Sequence, residues 1–330
     1  MRRRDVIALL GGAAAAPLGG PRDAHAQQGM PVIGFLNSAL PELFVDRLRG
    51  FRQGLKDTGY VEGENVAIEY RWAENRSDRL PALLAELVGR RVAVIAATGG
   101  SAPALVAKAA NTTIPVVFAV AEDPVRTGLV ASLSRPGGTM TGVNFFSAEV
   151  VAKRLELLRE LVPGAVRVAV LLNPTNVVQT QTIVRELQAA SRSMGLQIQI
   201  FNASTSREID AAFAALMLER PDALFVAPDP LFFGRRVQLS NLAARHVLPA
   251  TFPVRDNAEA GGLMSYGANI SDAYRQVGIH VGRILKGAKP ADMPVVQADK
   301  FELVINAQTA RLLGLSVPHS LLARADEVIE

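Results

Sequence analysis

Cysteine is missing from all 330 residues, and its absence removes a disulfide framework, a zinc-thiolate site and a lipid-modified amino-terminal cysteine together. Aromatic residues are scarce at 5%, with one tryptophan, Trp72, and there are only four histidines. Three of them, His246, His280 and His319, lie far apart and outside any HExxH or comparable metal pattern. G-x-S-x-G, G-x-G-x-x-G and Walker sequences are also lacking, and no close carboxylate pair stands out for proton transfer. These absences argue for a protein that is not an enzyme and carries no metal or cofactor. Beyond the amino terminus no apolar run approaches the about 20 residues of a membrane span, so stable membrane insertion is not expected.

What is present is a globular composition, 49% hydrophobic and 20% charged, in a chain long enough for two domains. The first residues stand apart. Arg2, Arg3 and Arg4 form a basic start, Val6 to Leu18 an Ala/Gly-rich apolar stretch, and Ala24-His25-Ala26 a cleavage pattern, together an export signal over residues 1–26. The arginines resemble a twin-arginine signal without the usual Ser or Thr before the pair, and an exported, unanchored chain points to the periplasm. The net charge is +4; removing residues 1–26, with four arginines and two aspartates, leaves +2. So small an excess gives no reason to expect nucleic acid.

The organising stretch is Val92 to Pro103, VAVIAATGGSAP: a buried strand, a Thr98-Gly99-Gly100-Ser101 turn with Ser at the cap, and a helix with Pro in its first turn. Open α/β sheets hold ligands at such strand ends, where unpaired N–H groups favour a carboxylate or polar head group. Further buried strands are read at 31–38, 65–72, 114–120 and 140–146, with helices over 42–58 and 77–90 and a short one near 127–133. From Ala148 the alternation starts over: helices at 150–161, 177–194, 206–219 and 232–246, strands at 167–172, 197–201, 223–227, 249–253 and 262–266. Two such runs imply two separately wound parallel sheets. The tail, a helix over 273–285, a strand over 301–305, a helix over 307–313 and an acidic peripheral end, crosses to the first lobe and returns. The three links fall near Phe146, Ala268 and Pro294, and a cleft between lobes so joined closes by hinge motion. The lobes are 27–146 plus about 268–295, and 147–267 plus about 296–330.

Candidate ligand residues sit at the strand tips. In the first lobe they are Asn37 and Ser38, Thr98, Gly99 and Ser101, Glu122 and Asp123, and Asn144 and Phe145. In the second they are Asn173 and Asn176, Asp229, Arg255 and Tyr266. Each has a plainer use. Asn37 and Ser38 suit an Asx or cap role, Asp123 precedes Pro124 as at a helix start, and Phe145 suits a core. Arg255 can pair with Asp256 across its loop instead of with a carboxylate, and Trp72, alternating with Tyr70, suits a sheet face.

Several segments together resemble the substrate-binding proteins of ATP-binding-cassette (ABC) transporters, in the group related to tryptophan and tyrosine uptake. They run from VIGFLNS through GFRQGLKDTGYVEGENVAIEYRWAE, EDPV, SLSRPGGTMTGV and LELLRELVP to FELVINAQTARLLGLSVPHSLLARADEVIE, and so span the mature chain. The resemblance implies a type I periplasmic-binding-protein fold: two Rossmann-like lobes with parallel sheets, joined by three hinge crossings. It also implies a monomeric receptor that captures a small amino-acid-like or aromatic acid ligand and delivers it to an ABC permease and ATPase. A sensory subunit for a membrane receptor is the alternative role on the same fold, and a periplasmic enzyme the remote one.

Overall fold

The computed structural model describes residues 29–145 and 148–330. The export-signal reading of residues 1–26 and the assignment of Phe146 to the first crossing lie outside the described residues. Residues 31–330 form one compact unit containing two sheets.

The first sheet is built by β1 (Val32–Asn37), α1 (Val45–Asp57), β2 (Ala67–Trp72), α2 (Leu80–Gly89), β3 (Val94–Thr98), α3 (Ser101–Ala109), β4 (Val116–Val120) and β5 (Met140–Asn144). The apolar strands are buried from end to end except β2, as sheets covered by helices on both faces require. The chain then enters the second sheet through α4 (Ala148–Leu161), β6 (Arg167–Leu172), α5 (Val177–Met194), β7 (Gln197–Asn202), α6 (Ser206–Glu219) and β8 (Ala223–Val226). It continues with α7 (Pro230–Gly234), α8 (Arg236–Arg245), β9 (Ala250–Phe252), α9 (Arg255–Glu259) and β10 (Met264–Ala268).

After β10 the chain returns to the first lobe as α10 (Ile270–Leu285) and β11 (Val296–Gln297). It comes back once more as β12 (Phe301–Asn306), α11 (Ala307–Leu312), α12 (His319–Leu322) and β13 (Glu327–Ile329). The sheet orders are β11-β5-β4-β3-β1-β2 and β13-β12-β10-β9-β8-β6-β7. Two lobes and three crossings agree with the sequence reading. The third crossing lies at 298–300 rather than near Pro294, because Val296 and Gln297 pair with Val143 and Asn144 at the edge of the first sheet.

Two other expectations are corrected. The second sheet is not wholly parallel: β12 runs antiparallel to β10, since it re-enters from the side toward which β10 left. The acidic end keeps a peripheral place, with β13 as the edge strand of that sheet beside β12. Residues 127–133 form turns, with Gly128 at φ +72°, a conformation that ends a helix rather than continuing one.

What ties α10 into the first lobe is a glycine-on-glycine crossing with α1. A Cβ at Gly50 or Gly54 would fall on the carbonyls of Ser271 and Arg275, and one at Gly278 on that of Phe51. The backbones therefore touch, and Phe51, Leu55, Tyr274, Val277 and Val281 fill one core beside them. Among the described residues no helix is long and apolar enough to cross a membrane. Gly54→Ala is expected to destabilise the chain by about 1–3 kcal/mol, because the backbones must separate. Urea unfolding followed by circular dichroism measures this, and a change below the scatter of exposed-site controls would contradict the crossing.

Candidate functional site

The register of the first sheet aligns Asn37 with both Trp72 and Thr98, and Val120 with Asn144, so the carboxyl ends form one edge. Against that edge lies a cavity of about 650 Å³, its open mouth included. The first lobe supplies Phe44 and Arg47, Gly99 and Gly100, Ala121 and Glu122, Phe145, and Ile270 and Tyr274 from α10. The second supplies Asn176, Gln179, Pro228, Asp229, Pro230, Phe233 and Gly234.

Four ring-bearing side chains, Phe44, Phe145, Phe233 and Tyr274, give this cavity an apolar wall. Phe44 meets Tyr274 and Trp72 edge-on, at 5.8 and 5.6 Å between centroids, so its ring is fixed from behind. Trp72 thus belongs to the supporting sheet face and does not line the cavity. Burial is the first cause of the raised Tyr274 hydroxyl pKa, and that hydroxyl lies against Thr98, Gly99 and Asn37.

Two carboxylates face the cavity from opposite lobes. Glu122 is buried; its Oε1 accepts from Asn176 Nδ2 at 3.3 Å, while Oε2 has no hydrogen-bond partner. Asp229 is also buried, and its Oδ1 accepts from Asn173 Nδ2 at 3.0 Å and from the Leu231 amide at 2.9 Å. Burial raises the Asp229 carboxyl pKa; hydrogen bonds from Asn173 and Leu231 oppose the rise, and the neighbouring Glu122 charge adds to it. Among the described residues neither acid forms an ion pair. Arg47, which lines the same cavity, is paired with Asp256 across the lobes at 3.1 Å and sits 4.9 Å from the Phe44 ring centre.

Of the residues named from sequence, Gly99, Glu122, Phe145, Asn176 and Asp229 line this cavity. Ser38, Ser101 and Asn173 line a wider, more open cavity of about 1020 Å³ beside it, which Gly99, Asn176 and Asp229 also reach. Ser38 donates to the Gly99 carbonyl. Asn37, fully buried, donates to Thr98 Oγ1 at 2.8 Å and accepts from the Ala39 amide, so both ends of its amide join strand tips. Gly99 is required beside it, since φ is +83° and a Cβ would strike the Asn37 amide. Gly100, not Ser101, occupies the cap of α3, and Ser101 opens the helix.

The remaining candidates lie elsewhere. Asp123 is exposed and caps its own turn through the Val125 and Arg126 amides. Asn144 is buried against the Glu122 and Val120 carbonyls. Arg255 is held by Glu259, Glu302 and Glu327 and lines neither the aromatic nor the wide polar cavity; Asp256, next to it in α9, pairs with Arg47 instead. Tyr266 packs in the second-lobe core and stacks on Phe301. Missed altogether were Phe44, Arg47, Phe233 and Tyr274, which are helix residues, while the search followed strand tips. Among the described residues no cluster of three or more His, Cys, Asp or Glu side chains is arranged to hold a metal ion.

A carboxyl whose folded pKa is raised binds its proton more tightly than in the unfolded chain. Its contribution to stability is therefore greatest below the unfolded pKa and declines as pH rises through the folded one. Asp229→Asn is expected to keep both hydrogen bonds and remove that decline, flattening the stability curve above pH 4. Thermal melts from pH 4 to 8 measure it, and a variant that loses stability more steeply than the parent over that interval would contradict the burial argument.

The family described as ABC transporter substrate binding protein matches residues 43–329. A tyrosine-binding protein of Clostridioides difficile is 28% identical over 271 residues, covering 81% of this chain and 76% of that protein. An ABC domain from Streptococcus pneumonia in complex with L-Trp is 26% identical with a TM-score of 0.83, over 91% of this chain and all of that one. The ligand-free, open structure of a substrate-binding protein with adhesive properties from Clostridium difficile is 25% identical with a TM-score of 0.67, over 91% and 99%. At equal coverage and near-equal identity, the chain superposes better on the tryptophan complex than on the open form.

Proposed function

Because this chain belongs to the ABC transporter substrate-binding protein family, we propose that it captures an aromatic amino acid, or a close analogue, between its lobes and delivers it to a membrane permease. The observation that carries the reading is a cavity with an aromatic wall and two carboxylates, one with an oxygen that no group among the described residues satisfies. A buried acceptor of this kind calls for a donor. A ligand ammonium placed between Glu122 and Asp229 supplies three donors and the missing positive charge, while an aromatic side chain packs against Phe44, Phe145, Phe233 and Tyr274.

Support for a ligand of this class also comes from the relatives, one a tyrosine-binding protein and one solved with L-Trp. Closure follows from the same site, since a ligand touching both lobes favours the state in which they meet. The closed surface of the two lobes together is what the permease reads. In this reading the chain works outside the cytoplasmic membrane after export, as a monomer, and turns nothing over: the relatives bind their ligands, and the pocket carboxylates hold charge instead of moving protons.

Thermal unfolding with L-tryptophan, L-tyrosine and L-phenylalanine tests this. A ligand at about 100 times its Kd adds about 2.7 kcal/mol of stability, and the compound is expected back unchanged after incubation. Asp229→Asn is expected to weaken the response by about tenfold in affinity or more, the worth of one charge-assisted hydrogen bond. No shift with any of the three, together with a shift from a sugar or nucleobase, would replace the amino-acid reading.

A further inference from the structure

A second cavity, of about 440 Å³, adjoins the first and shares Ala121, Phe145, Pro228, Phe233 and Ile270 with it. Every side chain that lines it is apolar except one, Arg154 of α4. That guanidinium is buried, with 3% of the residue exposed. Its Nη2 donates to the Val226 carbonyl at 2.6 Å, its carbon lies 3.7 Å from the Phe225 ring centre, and its Nε has no hydrogen-bond partner. Among the described residues no carboxylate pairs with it. Burial pulls its pKa down to about 9, which leaves it charged at neutral pH.

A lone buried charge is costly unless something compensates it. One carbonyl and one ring face compensate this one in part, and no described residue offers it an anion. From this arrangement we infer that Arg154 is the receptor for the carboxylate of the cleft's ligand, so that the site selects organic acids with an apolar body. The inference deepens the amino-acid reading and rests on it for the ammonium end. The geometry is compatible with one small molecule: Val226, which accepts from Arg154, stands three residues before Asp229, about 10 Å at the 3.3 Å rise of an extended chain. A zwitterion with a hydrogen bond of about 2.9 Å at each end covers a comparable span.

The competing receptor is the start of α3, the place the sequence favours. Its Ser101 faces the wider polar cavity, where water competes, its Gly100 borders both cavities, and a helix end carries only about half a unit charge. Arg154 offers a whole charge, a planar fork and a dry site.

Titration calorimetry at pH 6, where the amines of both probes are protonated, compares L-tryptophan with L-tryptophanamide on the parent chain and on Arg154→Met. The parent is expected to prefer the acid by about tenfold or more, and the variant to bind acid and amide alike. An equal loss for both probes, or no loss, makes Arg154 a merely structural tie between α4 and β8 and overturns the inference. Should Arg154→Met not fold, Arg154→Lys keeps the charge and loses the fork: acid binding then falls while amide binding holds, and an equal fall is the contrary result. If the parent binds neither probe, the amino-acid reading fails separately. Benzoate, phenylacetate and hexanoate against their amides then decide the role of Arg154: acid preference lost in the variant upholds it, and no acid preference overturns it.

Discussion

Glu122 and Asp229 reach one cavity from two different sheets, and no cation of the described chain neutralises either there. Much of the structure makes sense as the means of holding that unsatisfied arrangement in place. The strand tips are stitched laterally, Asn37 to Thr98 and Asn173 to Asp229. The acids are thereby held by neighbours that orient them without cancelling their charge. A polar group kept buried and incompletely partnered lowers stability, and the natural recipient of that deficit is a ligand bearing the complementary charge.

The three crossings decide where the two sheets can face each other. Because α10 is locked onto α1 through paired glycines, the first lobe owns a helix that arrives only after β6 to β10 of the second lobe. That helix brings Tyr274 to the Thr98-Gly99 turn and Ile270 to the cavity wall. Among the described residues, polar contacts between the lobes include Arg47 to Asp256 and Asn176 to Glu122, with Pro230 close to Gly100 beside them. An interface of this kind gives way easily, and partly exposed ion pairs contribute little net stability. On the proposed reading, the lobes separate for entry and the ligand supplies what holds them shut.

Much of the fold was legible because buried parallel strands and amphipathic helices leave strong periodic marks; β6 and α5 fall on the residues read from sequence. The direction of β12 was not legible, since it depends on which lobe the chain last visited. Within the site, strand-tip logic found Glu122 and Asp229, whose position at the end of an apolar run is a local signal. It missed Phe44, Arg47 and Tyr274, whose inward faces are set by how α1 and α10 cross. Arg154 looks like any helix arginine until Phe225 and Val226 are seen beneath it. Arg255 misled for the converse reason, because Glu302 and Glu327, which occupy it, come 47 and 72 residues later.

A ligand that touches both lobes is expected to draw them together. With no native cysteine to interfere, Ala109→Cys on α3 and Val237→Cys on α8 place one spin label on each lobe. The distance distribution between them, measured by pulsed electron resonance without and with saturating L-tryptophan, tests the claim most directly. The account predicts a broad or longer-distance population that collapses onto a single shorter one when ligand binds. Bound tryptophan with an unchanged distribution would contradict it.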